Sequence, residues 1–172
     1  MKLFCSTGIY RAALRCCLLA SLLSTPQYSL SGDTPTAEYK LKAALLYKLT
    51  KFVEWPKTDS NSTAQPFGLC VLGEDYFGSA LRALEARTVA NRAIAVRRFE
   101  QSDALIGQCD LVFISDSKRA FLRPILQGLS KLPILTLGDT RGFAEQGGMI
   151  QFTRGDKRIG FKVNLQHAHA SG

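Results

Sequence analysis

Between residues 37 and 53 the apolar positions recur three and four apart, at Leu41, Ala44, Leu45, Leu49, Phe52 and Val53. That spacing predicts a helix over 37–52 with these side chains on its inner face. Lys40, Lys42, Lys48 and Lys51 then fall mostly on the outer face. Thr34 or Thr36 is placed to cap this helix. Trp55-Pro56 is placed to end it, because the residue before a proline is pushed out of the helical region. A polar loop over 57–66 follows.

The period then changes. Residues 67–73 form a nearly continuous apolar run, which predicts a central strand covered on both faces. Residues 77–86 read as a helix with Leu81 and Leu84 inward. Residues 93–99 read as a strand in which Ile94 and Val96 alternate with Ala95 and Arg97. A helical turn over 101–107 leads to a second apolar strand at 111–114. Ser115 or Asp116 can cap a helix over 118–129, and 133–137 is the next strand. Residues 138–148 form a Gly-rich loop that carries Phe143. Residues 149–153 and 158–163 flank Arg154-Gly155-Asp156-Lys157, the pattern of a hairpin, and Asn164 can cap a last helix. Strands alternating with helices call for parallel pairing through helical crossovers, to which the hairpin adds an antiparallel pair. The expected fold is α/β, a three-layer sandwich with a mixed, mostly parallel sheet and a C-terminal β-hairpin.

The first thirty-one residues break from this pattern. They contain Lys2, Arg11 and Arg15, no acidic residue, and a short apolar run from Cys16 to Leu23. That run is well below the roughly twenty residues that span a bilayer as a helix. Ser29-Leu30-Ser31 ends the stretch with small residues at the positions a signal peptidase reads. The expectation is a secretory signal peptide over 1–31 followed by one domain over 32–172. Its removal takes the formal net charge from +8 to +5, which weakens the nucleic-acid reading that the intact chain invites. Of five cysteines it leaves Cys70 and Cys109. A pair in an exported chain reads as a disulfide, with two buried free thiols as the alternative.

The census of catalytic chemistry is thin. The only histidines, His167 and His169, lie near the C-terminus, so no Ser-His-Asp set forms inside the core. Two ligands one residue apart make a poor metal site, and a solvated tail explains them better. The stretch Gly73-Glu74-Asp75-Tyr76-Phe77-Gly78 sits where a nucleotide fingerprint would. It lacks the glycine spacing and puts two acids where a phosphate needs bare amides. Glu74, Asp75, Asp110 and Asp116 could meet across a sheet rim, or serve as caps and turns. The basic pairs Arg97-Arg98, Lys118-Arg119 and Lys157-Arg158 are scattered. No catalytic activity, cofactor, metal or nucleic-acid partner is expected.

The segment from Glu38 to Pro56, EYKLKAALLYKLTKFVEWP, resembles the opening helix of the YfiR family, whose pattern is E-Y-x-x-K-A-A-x-x-Y closing in K-F-V-x-W-P. Three further blocks agree in order: Leu69-Cys70-Val71-Leu72-Gly73 with Phe77-Gly78, Cys109-Asp110-Leu111-Val112-Phe113-Ile114-Ser115, and Gly142 to Ile150 with Phe161-Lys162-Val163-Asn164-Leu165 behind it. The resemblance implies a periplasmic regulator that represses an inner-membrane diguanylate cyclase through the cyclase's periplasmic region. It thereby controls cyclic di-GMP and biofilm formation, and an outer-membrane lipoprotein relieves the inhibition. It also implies a homodimer, and a disulfide at Cys70 and Cys109. A second cysteine pair that some members carry near the Gly-rich loop is missing, since residues 142–152 contain no Cys. The family continues with helix past the Ala-x-x-Ala-Ser-Gly end of this chain, so a truncated last helix is expected. Trp55, Phe143, Arg158, Lys162, Asn164 and Ala168 are the residues expected to meet a partner. The alternative function is a periplasmic small-molecule sensor built on the loops 74–78, 115–118 and 138–143, which follow strands of the parallel sheet.

Overall fold

The computed structural model describes residues 36–55, 65–155 and 158–170. The expected signal peptide, Pro56, most of the polar loop after it, the tip of the expected hairpin and the last two residues lie outside the described residues. The first helix, α1 (Ala37–Leu49), is capped by Thr36, whose side chain accepts a hydrogen bond from the Tyr39 amide. It stops three residues earlier than its apolar spacing predicts.

The strands β1 (Phe67–Leu72), β2 (Thr88–Val89), β3 (Arg92–Phe99), β4 (Leu111–Ile114), β5 (Leu135–Gly138), β6 (Ile150–Arg154) and β7 (Ile159–Val163) form one sheet in the order β2-β3-β1-β4-β5-β6-β7. The five strands from β3 to β6 are parallel neighbours, and the outermost pairs β2/β3 and β6/β7 are antiparallel. Every residue of β1 and β4 is buried, as their unbroken apolar runs require of central strands. The β2/β3 hairpin is absent from the sequence reading. It turns on Ala90 and Asn91, both with positive φ, and its first strand is too short to show a period.

One face of the sheet packs against α1 and the short helix α2 (Ser79–Arg82). Ala43, Leu46, Leu81 and Leu84 meet Leu69, Val71, Leu111 and Phe113 there. The other face carries the helix α3 (Leu122–Leu129) and the 3-10 turn Asp103–Leu105, whose Leu105, Leu122, Leu126 and Leu129 cover Cys70, Leu72, Val112 and Ile114. These are the three layers of the expected α/β sandwich, closed by the β6/β7 hairpin and a last helix, α4 (Leu165–Ala170). Ser115 caps the 3-10 segment Asp116–Phe121 that leads into α3. Cys70 and Cys109 form a disulfide across 39 residues, with their Cα atoms 5.8 Å apart.

The face of α1 that enters the core differs from the expected one. Lys42, Ala43 and Leu46 are buried, whereas Leu41 and Phe52 are exposed and Leu45 and Leu49 only half-buried. Apolar residues ring this helix, so spacing alone supports either stripe. The buried stripe carries an ionic contact: Lys42 pairs with Asp139 and Glu38.

Candidate functional site

Two concave features flank α1, one apolar and one ionic. The apolar one is a groove of about 510 Å3. Its first wall is Leu45 and Leu49 of α1, half-buried side chains that also pack against the core, continued by Phe52, Val53 and Trp55. Its floor is Leu135 at the start of β5 with Met149 and Ile150 at the start of β6, and its far wall is Phe161, Val163 and Ala168. Phe52 is 84% exposed and Phe161 54%. Leu165 is a further exposed large apolar residue at the start of α4. Surfaces of this kind mark a place where something else binds.

The residues expected to meet a partner do not share one surface. Trp55 lies on the groove. Its indole N–H donates to the Thr50 carbonyl at 2.9 Å and its ring stands edge-on to Phe67 at 4.7 Å. One side of Trp55 thus packs inward on Phe67, and the residue as a whole lines the groove. Ala168 also lines the groove. Phe143 is a correction: it is fully buried in the opposite layer, where the loop folds back onto the sheet. Its ring fills the space over Gly138 and Gly148, and a Cβ on either glycine would overlap it. Gly147 turns the chain at positive φ, and Gly148 allows the close approach of the ring.

Lys162 and Asn164 follow Phe143 away from the groove. Side chains alternate along β7, so Phe161 and Val163 point to one face and Lys162 to the other. Lys162 Nζ pairs with Glu145 at 3.0 Å, which holds the Glu145 carboxyl below its ordinary range, first through the Lys162 hydrogen bond. Asn164 is a structural clamp. Its amide donates to the Ala144 carbonyl at 2.9 Å and its Oδ1 accepts from the His167 amide at 3.3 Å, which is the expected cap. Arg158 is exposed just before β7.

The ionic feature is a pocket of about 370 Å3 beneath the first turns of α1, beyond the C-terminal ends of β4 and β5. Lys42 is 4% exposed and lies 2.5 Å from Asp139 Oδ2 and 2.7 Å from Glu38 Oε1. The Tyr39 hydroxyl donates to the same Asp139 oxygen at 2.9 Å. Burial, then the negative charge of Asp139, pushes the Tyr39 hydroxyl far above its ordinary pKa of 10.0. Glu38 also pairs with Arg154 on β6, and Asp116 with Arg119 at 2.9 Å. Tyr76, whose ring is 5.4 Å from that of Tyr39, donates to Glu74 at 2.7 Å, and this bond raises its pKa.

Of the four acids expected to meet across a sheet rim or to serve as caps and turns, Glu74, Asp75 and Asp116 follow the C-terminal ends of the neighbouring strands β1 and β4, and Asp110 lies at the other end. Asp110 precedes β4 and takes both guanidinium nitrogens of Arg92 at 2.8 Å, at the opposite end of the strand from Asp116. Asp75 accepts from the Phe77 amide at 2.7 Å and pairs with Arg98. These are turn and pairing roles. The role of Lys42 was missed, because a lysine on an amphipathic helix reads as solvated until the fold supplies its carboxylates.

Residues 39–172 match the YfiR/HmsC-like family. The chain belongs to that family. No curated protein matches it. YfiR-like proteins are periplasmic regulators of cyclic di-GMP signalling, and their role is regulatory rather than catalytic. In this YfiR-like chain no group of three or more His, Cys, Asp or Glu that could hold a metal occurs among the described residues. No helix among them is long and apolar enough to cross a membrane. The groove, an uncovered apolar surface on a regulatory fold, is the feature of this YfiR-like protein that fits recognition of another protein.

Proposed function

We propose that this protein is exported behind a signal peptide over 1–31 and, as the single domain 32–172, represses an inner-membrane diguanylate cyclase by seating its apolar groove on the cyclase's periplasmic region. The exposed apolar wall formed by Phe52 on one side and Phe161 and Val163 on the other carries this reading. An outer-membrane lipoprotein then relieves the inhibition by competing for the protein, and cyclic di-GMP rises on the far side of the membrane. The chain acts as a homodimer. Buried aromatic anchors dominate such interfaces, so Phe52, Trp55 and Phe161 contribute most of the affinity.

The test is a pull-down and a binding titration with the periplasmic region of a diguanylate cyclase encoded beside this gene. Wild type binds it, and Phe52→Asp or Phe161→Asp weakens binding by about a hundredfold, as expected for loss of a hot-spot side chain. Binding that both variants leave intact, or a folded wild-type protein that binds no such region, overturns the proposal.

A further inference from the structure

The ionic pocket has no part in that reading. Its charged lining comprises three cations, Lys42, Arg119 and Arg154, and three carboxylates, Glu38, Asp116 and Asp139. The lining is thus formally neutral but strongly divided. A ligand of net charge would face an equal number of opposing groups, whereas one carrying both charges can satisfy each set. The pocket lies beyond the C-terminal ends of β4 and β5, the side of an open α/β sheet where ligands bind. Its size falls within the range of small-molecule sites.

Two details give the pocket a polarity. First, the basic side chains at its flanks are held loosely. The Arg119 and Arg154 side chains are 65% and 77% exposed, and each is paired with a single carboxylate. They come from different elements, the segment after β4 and the end of β6, and so face a ligand from two sides. Second, an acceptor is left over at the base. Asp139 Oδ2 takes both Tyr39 and Lys42, while Asp139 Oδ1 is buried and takes no hydrogen bond among the described residues. A buried carboxylate oxygen without a donor is costly, and a bound ammonium would supply one.

We infer that this pocket binds a small zwitterion, with the ligand carboxylate held between Arg119 and Arg154 and the ligand ammonium on Asp139 Oδ1. Asp139 Oδ1 is closed to solvent in the unliganded protein. Ligand entry therefore requires the pocket lining to rearrange, with Arg154 turning from Glu38 to the ligand carboxylate. Lys42 stays in place as the fixed positive charge on Asp139 Oδ2. The inference does not depend on what fills the apolar groove, and either can fail without the other.

The test is a titration of the isotopically labelled protein followed by amide NMR shifts, with glycine, L-alanine and γ-aminobutyrate as probes. Acetate and methylammonium serve as the two half-molecules. At least one zwitterion gives saturable shifts at the amides of 116–119, 138–140 and 153–154, and each half-molecule binds at least about tenfold more weakly. Arg119→Ala and Arg154→Ala each weaken the zwitterion by about fivefold or more, the loss of one charge-assisted contact. Both replaced side chains are mostly exposed, so the fold survives. Three outcomes overturn the inference: no saturable shift with any zwitterion at millimolar concentration, acetate binding as tightly as the best zwitterion, or binding that both arginine variants leave unchanged.

Discussion

Lys42 Nζ and Asp139 Oδ2 lie 2.5 Å apart, joining the first turns of α1 to the end of β5 across 97 residues of sequence. Both side chains are largely buried, so neither charge has water to fall back on. Removing one partner of such a pair leaves the other uncompensated and costs about 3–5 kcal/mol. Lys42→Met is therefore expected to lower stability to urea by that amount. The double variant Lys42→Met/Asp139→Leu should recover most of the loss, and equilibrium unfolding of both checks the pairing.

Phe143 and Gly148 make a second coupled pair, this one steric. A methyl group at 148 has no room beside the ring, and overpacking of this kind costs about 1–3 kcal/mol. Gly148→Ala should destabilise the protein by that amount. In a Phe143→Leu background the same change should cost measurably less. A double-mutant cycle by urea unfolding reads the coupling, and additive effects would count against the contact.

The Tyr39 hydroxyl gives stability an alkaline limit. Its pKa is raised in the folded protein, so at pH above the ordinary 10.0 the unfolded chain loses this proton while the folded one keeps it. Stability from the Tyr39–Asp139 bond is thus fully present below pH 10.0 and is lost as pH rises beyond it. Tyr39→Phe is expected to be less stable than wild type at neutral pH and to show a shallower decline above pH 10.0. Thermal unfolding at a series of alkaline pH values compares the two slopes, and parallel slopes would refute the assignment.

The Cys70–Cys109 bridge closes 39 residues of chain, for which about 3–4 kcal/mol is expected from the restricted unfolded state. Cys70→Ala/Cys109→Ala should lose roughly 2–4 kcal/mol and stay folded. Unfolding of wild type in excess reductant should match the variant. An unchanged midpoint in both would show that the loop is held by packing alone.

Much of the sheet was legible because its central strands are unbroken apolar runs. β1 and β4 fall where 67–73 and 111–114 place them, and β6 and β7 lie where the segments flanking Arg154-Gly155-Asp156-Lys157 place a hairpin. Besides the missed β2/β3 hairpin, what failed was mainly direction. Of the expected inner stripe of α1, Leu41, Ala44 and Phe52 are exposed, whereas Leu45, Leu49 and Val53 lie half-buried between the core and the groove. A side chain meant for a partner and one meant for the core obey the same hydrophobic periodicity. Phe143 failed in the reverse sense. Flanking glycines suggest an exposed, mobile loop, but they are also what lets a ring lie against backbone. The ionic pocket was not visible as a unit, since Lys42, Asp116, Asp139 and Arg154 come from four separate stretches of chain.

The disulfide has a topological consequence. Cys70 lies within β1 and Cys109 just before β4, so the covalent ring between them contains α2, β2 and β3, the whole wing of the sheet beyond β1. A protease cutting once anywhere in 71–108 would leave two fragments still tethered, and the β3–β1 ladder would keep the severed wing in register. Damage to that wing in an oxidising compartment would thus add only a water to the still-joined particle, and the fragments would part only after reduction.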